Sequence, residues 1–329
     1  MVAGMLTIYA LGHFAVDFLC AWAVLGRLAG FARWPELALV YNFCAFALQM
    51  PVGIVADRVG RNRSFSGWGA LLALLGAAIR VPWATVILCG LGNALYHVGG
   101  GRETLLESRG YGTLGIFVAP GALGIFLGSL LRGSTWPGIL GAGLLLICGF
   151  LLFGSSRREI PSPREMGRPC RKAVLRVVLL FLVVLLRSFG GMTMVTPWKT
   201  GAWVLAGTLL GAAGKALGGF AADGLGGRVG AGLSLLAAAV LFLFPASPVC
   251  GVLGGLLFHM SMPVTLGDSA RALPGGEGFA FGLLTFALFL GFLPAMWGIS
   301  LTPWQGALVA LLSGLMLLLA AEGRKPCTT

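Results

Sequence analysis

The sequence predicts an all-α membrane protein: two pseudo-symmetric six-helix bundles with about 12 transmembrane helices. Three observations predict it. The 329 residues are 57% hydrophobic and only 10% charged, with a mean hydropathy of +0.92, whereas a soluble domain carries about a quarter charged residues. The apolar stretches recur at the ~20-residue length that crosses hydrocarbon. Runs this long and unbroken fit helices, which satisfy their own backbone in lipid, better than barrel strands. Finally, the second half of the chain repeats features of the first.

The spans follow in order. The first, 5–26, lacks a basic flank and a cleavage site and carries Asp17 in its middle. It therefore reads as a retained helix rather than a signal peptide. Spans 36–56, 64–80, 83–103, 113–132 and 136–154 complete a first bundle, residues 1–154. The polar stretch SSRREIPSPREMGRPCRK, 155–172, is basic and Pro-rich, which suits a cytoplasmic linker. Spans 173–195, 201–222, 229–246, 248–267, 278–298 and 303–321 form a second bundle, residues 173–329.

The repeat is visible in three places. Asp57 and Asp223 close matching spans at an offset of 166, with Gly53 over Gly219. Leu95-Tyr96-His97 matches Leu257-Phe258-His259 at an offset of 162. Gly115 and Phe126-Leu127-Gly128 match Gly278 and Phe289-Leu290-Gly291 at 163. Three matches in order point to a duplicated bundle.

The net charge of +12 does not imply nucleic acid, because the basic residues lie between spans and form no stripe with interleaved aromatics. They orient the chain instead. With the N-terminus inside, the inner segments hold Arg58, Arg61, Arg63, Arg102, Arg109, Arg157, Arg158, Arg164, Arg168, Arg171, Lys172, Arg228, Arg271, Arg324 and Lys325, against Arg27, Arg33, Arg80, Arg132 and Lys199 outside. That bias places both termini in the cytoplasm of a bacterial-type inner membrane. The seven cysteines are scattered, mostly in apolar runs, with no ligand or disulfide-framework spacing, so they read as small buried hydrophobes and no metal site is expected.

The stretch GIVADRVGRNR, 53–63, ends an apolar run on one acid and three arginines, and GGFAADGLGGR, 218–228, is its worn copy. Asp57 is placed to accept hydrogen bonds from a neighbouring helix N-terminus. Gly60 allows a tight turn, and Arg58, Arg61 and Arg63 are available for acids on the opposite half. In the copy only Asp223 and Arg228 remain, with Gly224 and Gly227 where the first stretch has Arg58 and Arg61. GIVADRVGRNR resembles the loop signature between helices 2 and 3 of the major facilitator superfamily. More narrowly, HFAVDF (13–18), ALYHVGGGR (94–102), LRSFGG (186–191) and GKALGGFAAD (214–223) resemble the fosmidomycin-resistance-type drug exporters of that superfamily. Val98 replaces the proline usual after the histidine, and Ile87 stands where many drug–proton antiporters carry an arginine. The resemblance implies that helices 1, 4, 7 and 10 line a central cavity.

Among eleven acidic residues only Asp17 lies deep in a span, which makes it a functional candidate. Its expected partner is Arg187: by helical rise the two sit ~18 and ~21 Å from the cytoplasmic ends of helices 1 and 7. His13, one turn from Asp17, with His97 and His259 places every histidine on an implied cavity helix. Asp17, His13, His97 and His259 are thus the expected proton-coupling set. Arg187, Asn93, Tyr96 and Lys215 are the expected substrate contacts, and Asp57, Arg58, Gly60, Arg61, Arg63, Asp223 and Arg228 a cytoplasmic gate. Lys215 equally fits a side chain snorkelling to the interface.

These residues predict a non-enzymatic secondary transporter without cofactor, acting as a monomer in the bilayer on protons and a small molecule. No Walker A motif is present to couple it to ATP. One acid against two deep cations favours an anionic or zwitterionic substrate, exported in exchange for protons by alternating access. The alternatives are proton-coupled uptake, or a transporter-like protein that only binds or senses its ligand. A membrane enzyme using His13 and Asp17 as acid and base would lack a nucleophile and leave the repeat unexplained.

Overall fold

The computed structural model describes residues 3–132, 134–157, 159 and 161–320. Arg158, Arg324 and Lys325, counted above among the inner-side charges, lie outside them. Fourteen α-helices make twelve rods among the described residues. α1 (Ala3–Ala21) runs on through a π-helical turn, Trp22–Gly26. α2 (Trp34–Asn42) and α3 (Gln49–Val59) are one rod joined by a second π-helical turn, Phe43–Ala47. α4 (Asn62–Ala78), α5 (Pro82–Glu107), α6 (Tyr111–Leu130) and α7 (Thr135–Ser156) follow. After the linker come α8 (Arg171–Thr193), α9 (Ala202–Leu225) and α10 (Gly227–Phe242). α11 (Pro248–His259) and α12 (Met262–Ala272) form one rod, and α13 (Glu277–Met296) and α14 (Pro303–Leu319) close the chain. Among the described residues eight rods are long and apolar enough to cross a membrane by length and composition, and Gly227–Phe242 and Pro303–Leu319 are shorter apolar helices.

The helix starts follow local chemistry. Ser247 accepts from the Cys250 N–H at 3.3 Å ahead of Pro248, and Thr302 with Gln305 forms a capping box ahead of Pro303. Each satisfies N–H groups that a helix start leaves open. Cys20, Cys44, Cys89, Cys148 and Cys250 are free thiols, four of them buried. Cys170 is disulfide-bonded, so the reading of every cysteine as an inert hydrophobe fails there.

The chain forms two compact units whose main division falls inside the linker, at Glu165. Unit 1 comprises Met1–Glu107, Pro120–Glu165 and Gly275–Phe286; unit 2 comprises Ser108–Ala119, Met166–Pro274 and Ala287–Thr329. Each unit therefore owns the opening turns of a helix whose remainder belongs to the other. In α6 the change falls at Pro120, inside the helix.

Within each unit the helices cross closely at glycines, as lipid-embedded packing without a hydrophobic driving force requires. In unit 1, Gly124 of α6 lies against Phe14 and Phe18 of α1. In unit 2, Gly291 of α13 lies against Leu185 and Phe189 of α8. Gly128, matched with Gly291 in sequence, meets the α1 rod one turn on, against Phe18 and Trp22.

Candidate functional site

Three groups of polar residues stand out: a titratable cluster in unit 1, a cationic cluster in unit 2, and a capped helix start in each.

In unit 1, α1 places His13 and Asp17 one turn apart on one face, and α5 does the same with Asn93 and His97. Asn93 Nδ2 donates to Asp17 Oδ1 at 2.7 Å. His13 Nε2 is 3.3 Å from Asp17 Oδ2, and His97 Nε2 is 3.7 Å from Asp17 Oδ1. The two imidazoles meet Nε2 to Nε2 at 2.8 Å, edge to face. His97 Nδ1 lies 2.8 Å from the Asn93 carbonyl. A carbonyl only accepts, so Nδ1 carries the hydrogen and a neutral His97 presents the Nε2 lone pair to the cluster. Exposures of 6–8% for His13, Asp17 and His97 put the cluster out of bulk water. Gly121 of α6 leaves the space beside it: a Cβ there would overlap His13 Nε2 and come 2.5 Å from Asp17 Oδ2.

In unit 2, Arg187 of α8 is buried, donates from Nε to the Phe258 carbonyl at 3.2 Å and lies 5.2 Å from the centre of the Phe258 ring. Among the described residues, no carboxylate of its own unit pairs with it. The neighbouring His259 has a buried Nδ1 without a partner among the described residues, and the charges of Lys215 and Arg187 both bear on it.

The structure thus gives each deep charge partners inside its own unit: Asp17 has Asn93, His13 and His97, and Arg187 has the carbonyl and ring of Phe258. Two expected substrate contacts also carry structural work. Asn93 holds the Asp17 carboxylate, and Tyr96 donates its hydroxyl to the α1 backbone at Ile8 and Tyr9.

At the helix ends, Asp57 accepts from the backbone N–H of Gly278 at 2.8 Å and Phe279 at 2.9 Å, capping the start of α13. It also receives Arg102 Nε at 2.7 Å, and Arg102 is wholly buried, with its other nitrogens on Asn62 and the Ser162 carbonyl. Gly60 turns the chain with φ +67°, and a Cβ there would overlap the backbone of Ser162 and Pro163. The linker is accordingly held down, with Ser162 N–H on the Gly60 carbonyl at 3.0 Å and Arg164 N–H on the Asp57 carbonyl at 2.7 Å. Arg63 pairs with Glu103 at 3.1 Å, and its N–H meets Glu159 at 3.2 Å. Burial pushes the Glu159 carboxyl up from its ordinary value. Arg58 and Arg61 are exposed and form no ion pair among the described residues.

In unit 2 Asp223 caps α6, accepting from Tyr111 N–H at 2.7 Å and Gly112 N–H at 2.8 Å. Arg228 pairs with Asp268 instead, which also takes the Tyr111 hydroxyl at 2.7 Å and Arg271 at 3.3 Å. Arg102, Glu103 and Asp268 were missed as site residues, because a charge near a helix end reads as loop anchoring.

The arrangement of the twelve rods is matched among solved structures. The fold is that of the major facilitator transporters. A variant of the E. coli fucose:proton symporter FucP aligns with a TM-score of 0.71 and 12% identity over 98% of both chains. FucP in an outward conformation gives 0.67 and 12% over 99% of both chains. A bacterial homologue of the iron transporter ferroportin, outward-facing, gives 0.66 and 15% over 96% of this chain and 97% of that one. No family model and no curated protein matches the sequence. The likeness carries the fold of a multi-pass membrane protein.

Proposed function

We propose that the chain is a secondary active transporter of the bacterial inner membrane that exports a small anionic or zwitterionic organic compound in exchange for protons. Arg187 carries this reading. It is a permanent charge buried in an apolar bundle with, among the described residues, no carboxylate of its own unit to neutralise it, a costly arrangement unless an anion completes it. Its planar fork suits a carboxylate or phosphonate. The carboxylate and two imidazoles at Asp17, His13 and His97 supply groups able to take and release protons, and Tyr41 and Cys20 lie near enough to feel the Asp17 charge. Both termini are cytoplasmic in this reading, and the protein acts as a monomer.

The test is proton-gradient-driven flux of phosphonates and carboxylates in proteoliposomes. Arg187→Lys should lose recognition of the anion although the charge is kept. Asp17→Asn should abolish gradient-driven accumulation while sparing exchange of substrate across the membrane without a gradient. Unchanged flux in Arg187→Lys and unchanged proton stoichiometry in Asp17→Asn would reject the reading. A second reading, uptake with protons, is favoured by the fold likeness to a fucose:proton symporter; the sign of the pH change accompanying substrate movement separates the two.

A further inference from the structure

We propose that His13, Asp17 and His97 form a binding site for a divalent first-row transition-metal cation such as zinc or cobalt. Two imidazole nitrogens and one carboxylate oxygen are the donor set of three-ligand, open-position zinc sites. Magnesium and calcium prefer oxygen shells, so the nitrogens select against them. The donor atoms all lie within 4.8 Å of one another. The separations of 3.3 Å from His13 to Asp17 and 3.7 Å from His97 to Asp17 are those between neighbouring ligands bonded at about 2.0–2.2 Å to one ion, and the imidazole nitrogens, 2.8 Å apart, need open by only about half an ångström to admit it.

Two features outside the ligands point the same way. Asn93 supports two of the three donors: its carbonyl fixes the His97 tautomer that aims the Nε2 lone pair inward, and its amide holds Asp17. Such outer contacts orient metal ligands in known sites. Gly121 keeps open a cradle against His13 Nε2 and Asp17 Oδ2 that any Cβ would fill. The proposal goes beyond the transport reading. A proton and a metal ion need the same lone pairs, so the two occupants exclude each other.

The experiment titrates cobalt into the purified full-length protein in detergent and reads its visible d–d absorption, with zinc as competitor and magnesium as control. One equivalent of cobalt should saturate the band, displaced by zinc and untouched by magnesium. Asp17→Asn and His97→Gln should each weaken binding about a hundredfold or more, and Asn93→Ala about 10–100-fold. Gly121→Ala, which keeps every ligand, should also lose the band. Cys250→Ser should leave it unchanged, which separates the site from a surface thiol. Size-exclusion and thermal unfolding confirm that each variant is folded, and if His97→Gln is not, Asn93→Ala and Gly121→Ala carry the test. No saturable cobalt or zinc binding by the folded wild type, or binding unaffected by these variants, overturns the proposal. Binding is read without a gradient or an organic substrate, so its failure leaves the transport reading standing.

Discussion

Asp57 and Asp223 occupy equivalent places and differ in what surrounds them. Both lie near the end of a helix, and both cap the start of another helix of their own unit through two backbone N–H bonds. Asp57 is 4% exposed and takes the buried Arg102, whereas Asp223 is exposed and pairs with no arginine among the described residues. At the 166-residue offset Asn62 answers to Arg228, and Arg102 to Asp268. The cation stands on α5 in unit 1 and on α10 in unit 2, and its acidic partner has moved as well. What both units keep is a carboxylate at the positive end of a helix. The arginines are free to relocate around it.

The largest expected effect breaks that comparison directly. Asp57→Ala leaves Arg102 buried without a carboxylate and should cost about 3–5 kcal/mol in unfolding experiments. Asp223→Ala removes only an exposed cap and should cost about 0.5–2 kcal/mol. Replacing Arg102 with Met in the Asp57→Ala background should recover much of the first loss. Equal losses at Asp57 and Asp223 would mean that the buried arginine adds nothing.

The glycines three residues further on give the next effect. Gly60 and Gly226 both have positive φ, but only Gly60 faces backbone, whereas a Cβ on Gly226 meets open space. Gly226→Ala should cost about 1–3 kcal/mol of backbone strain. Gly60→Ala should cost more and should also free the linker, seen as faster tryptic cleavage at Arg164. Similar cleavage in both variants would show that Gly60 does not hold the linker down.

A smaller effect depends on pH. Glu159 has one buried carboxylate oxygen without a partner among the described residues, and burial raises its pKa. A raised carboxyl pKa means the folded state holds the proton more tightly, so this group's contribution falls as pH rises through the folded value. Glu159→Gln should therefore raise the melting temperature slightly at alkaline pH, with the gain vanishing under acid conditions. A gain independent of pH would point to packing instead.

The smallest effect is expected at Arg58 and Arg61. Alanine at either position should change stability by less than about 0.5 kcal/mol, because neither side chain has an ion-pair partner among the described residues. A larger loss would show that the side chain is held in place.

Much of this was legible in the sequence. Hydropathy places all twelve rods within a few residues, because lipid imposes one length on every span. Asp57 and Asp223 announce themselves by ending apolar runs. Arg102 does not, because an arginine at the cytoplasmic end of a helix satisfies the charge bias of loops whether or not it is buried. Asp17 is legible as a deep acid, but its partners are not. His97 and Asn93 reach it from a helix ~80 residues on, and only the rotation of each helix about its own axis decides which deep side chains meet.

The division of α6 and α13 between units has a consequence for synthesis. Residues 1–165 contain every side chain of the unit 1 cluster and the acceptor Asp57, but not the N–H groups of Gly278 and Phe279 that this carboxylate receives. Unit 1 therefore remains unfinished on the ribosome until about residue 286 has emerged, when most of unit 2 has already been made. The contacts that close it are among the longest in sequence separation anywhere in the chain, and such contacts form late. A nascent chain halted at the linker would hold a bundle in which Asp57 lacks the α13 N–H groups, and the bundle closes only once the start of α13 has been made.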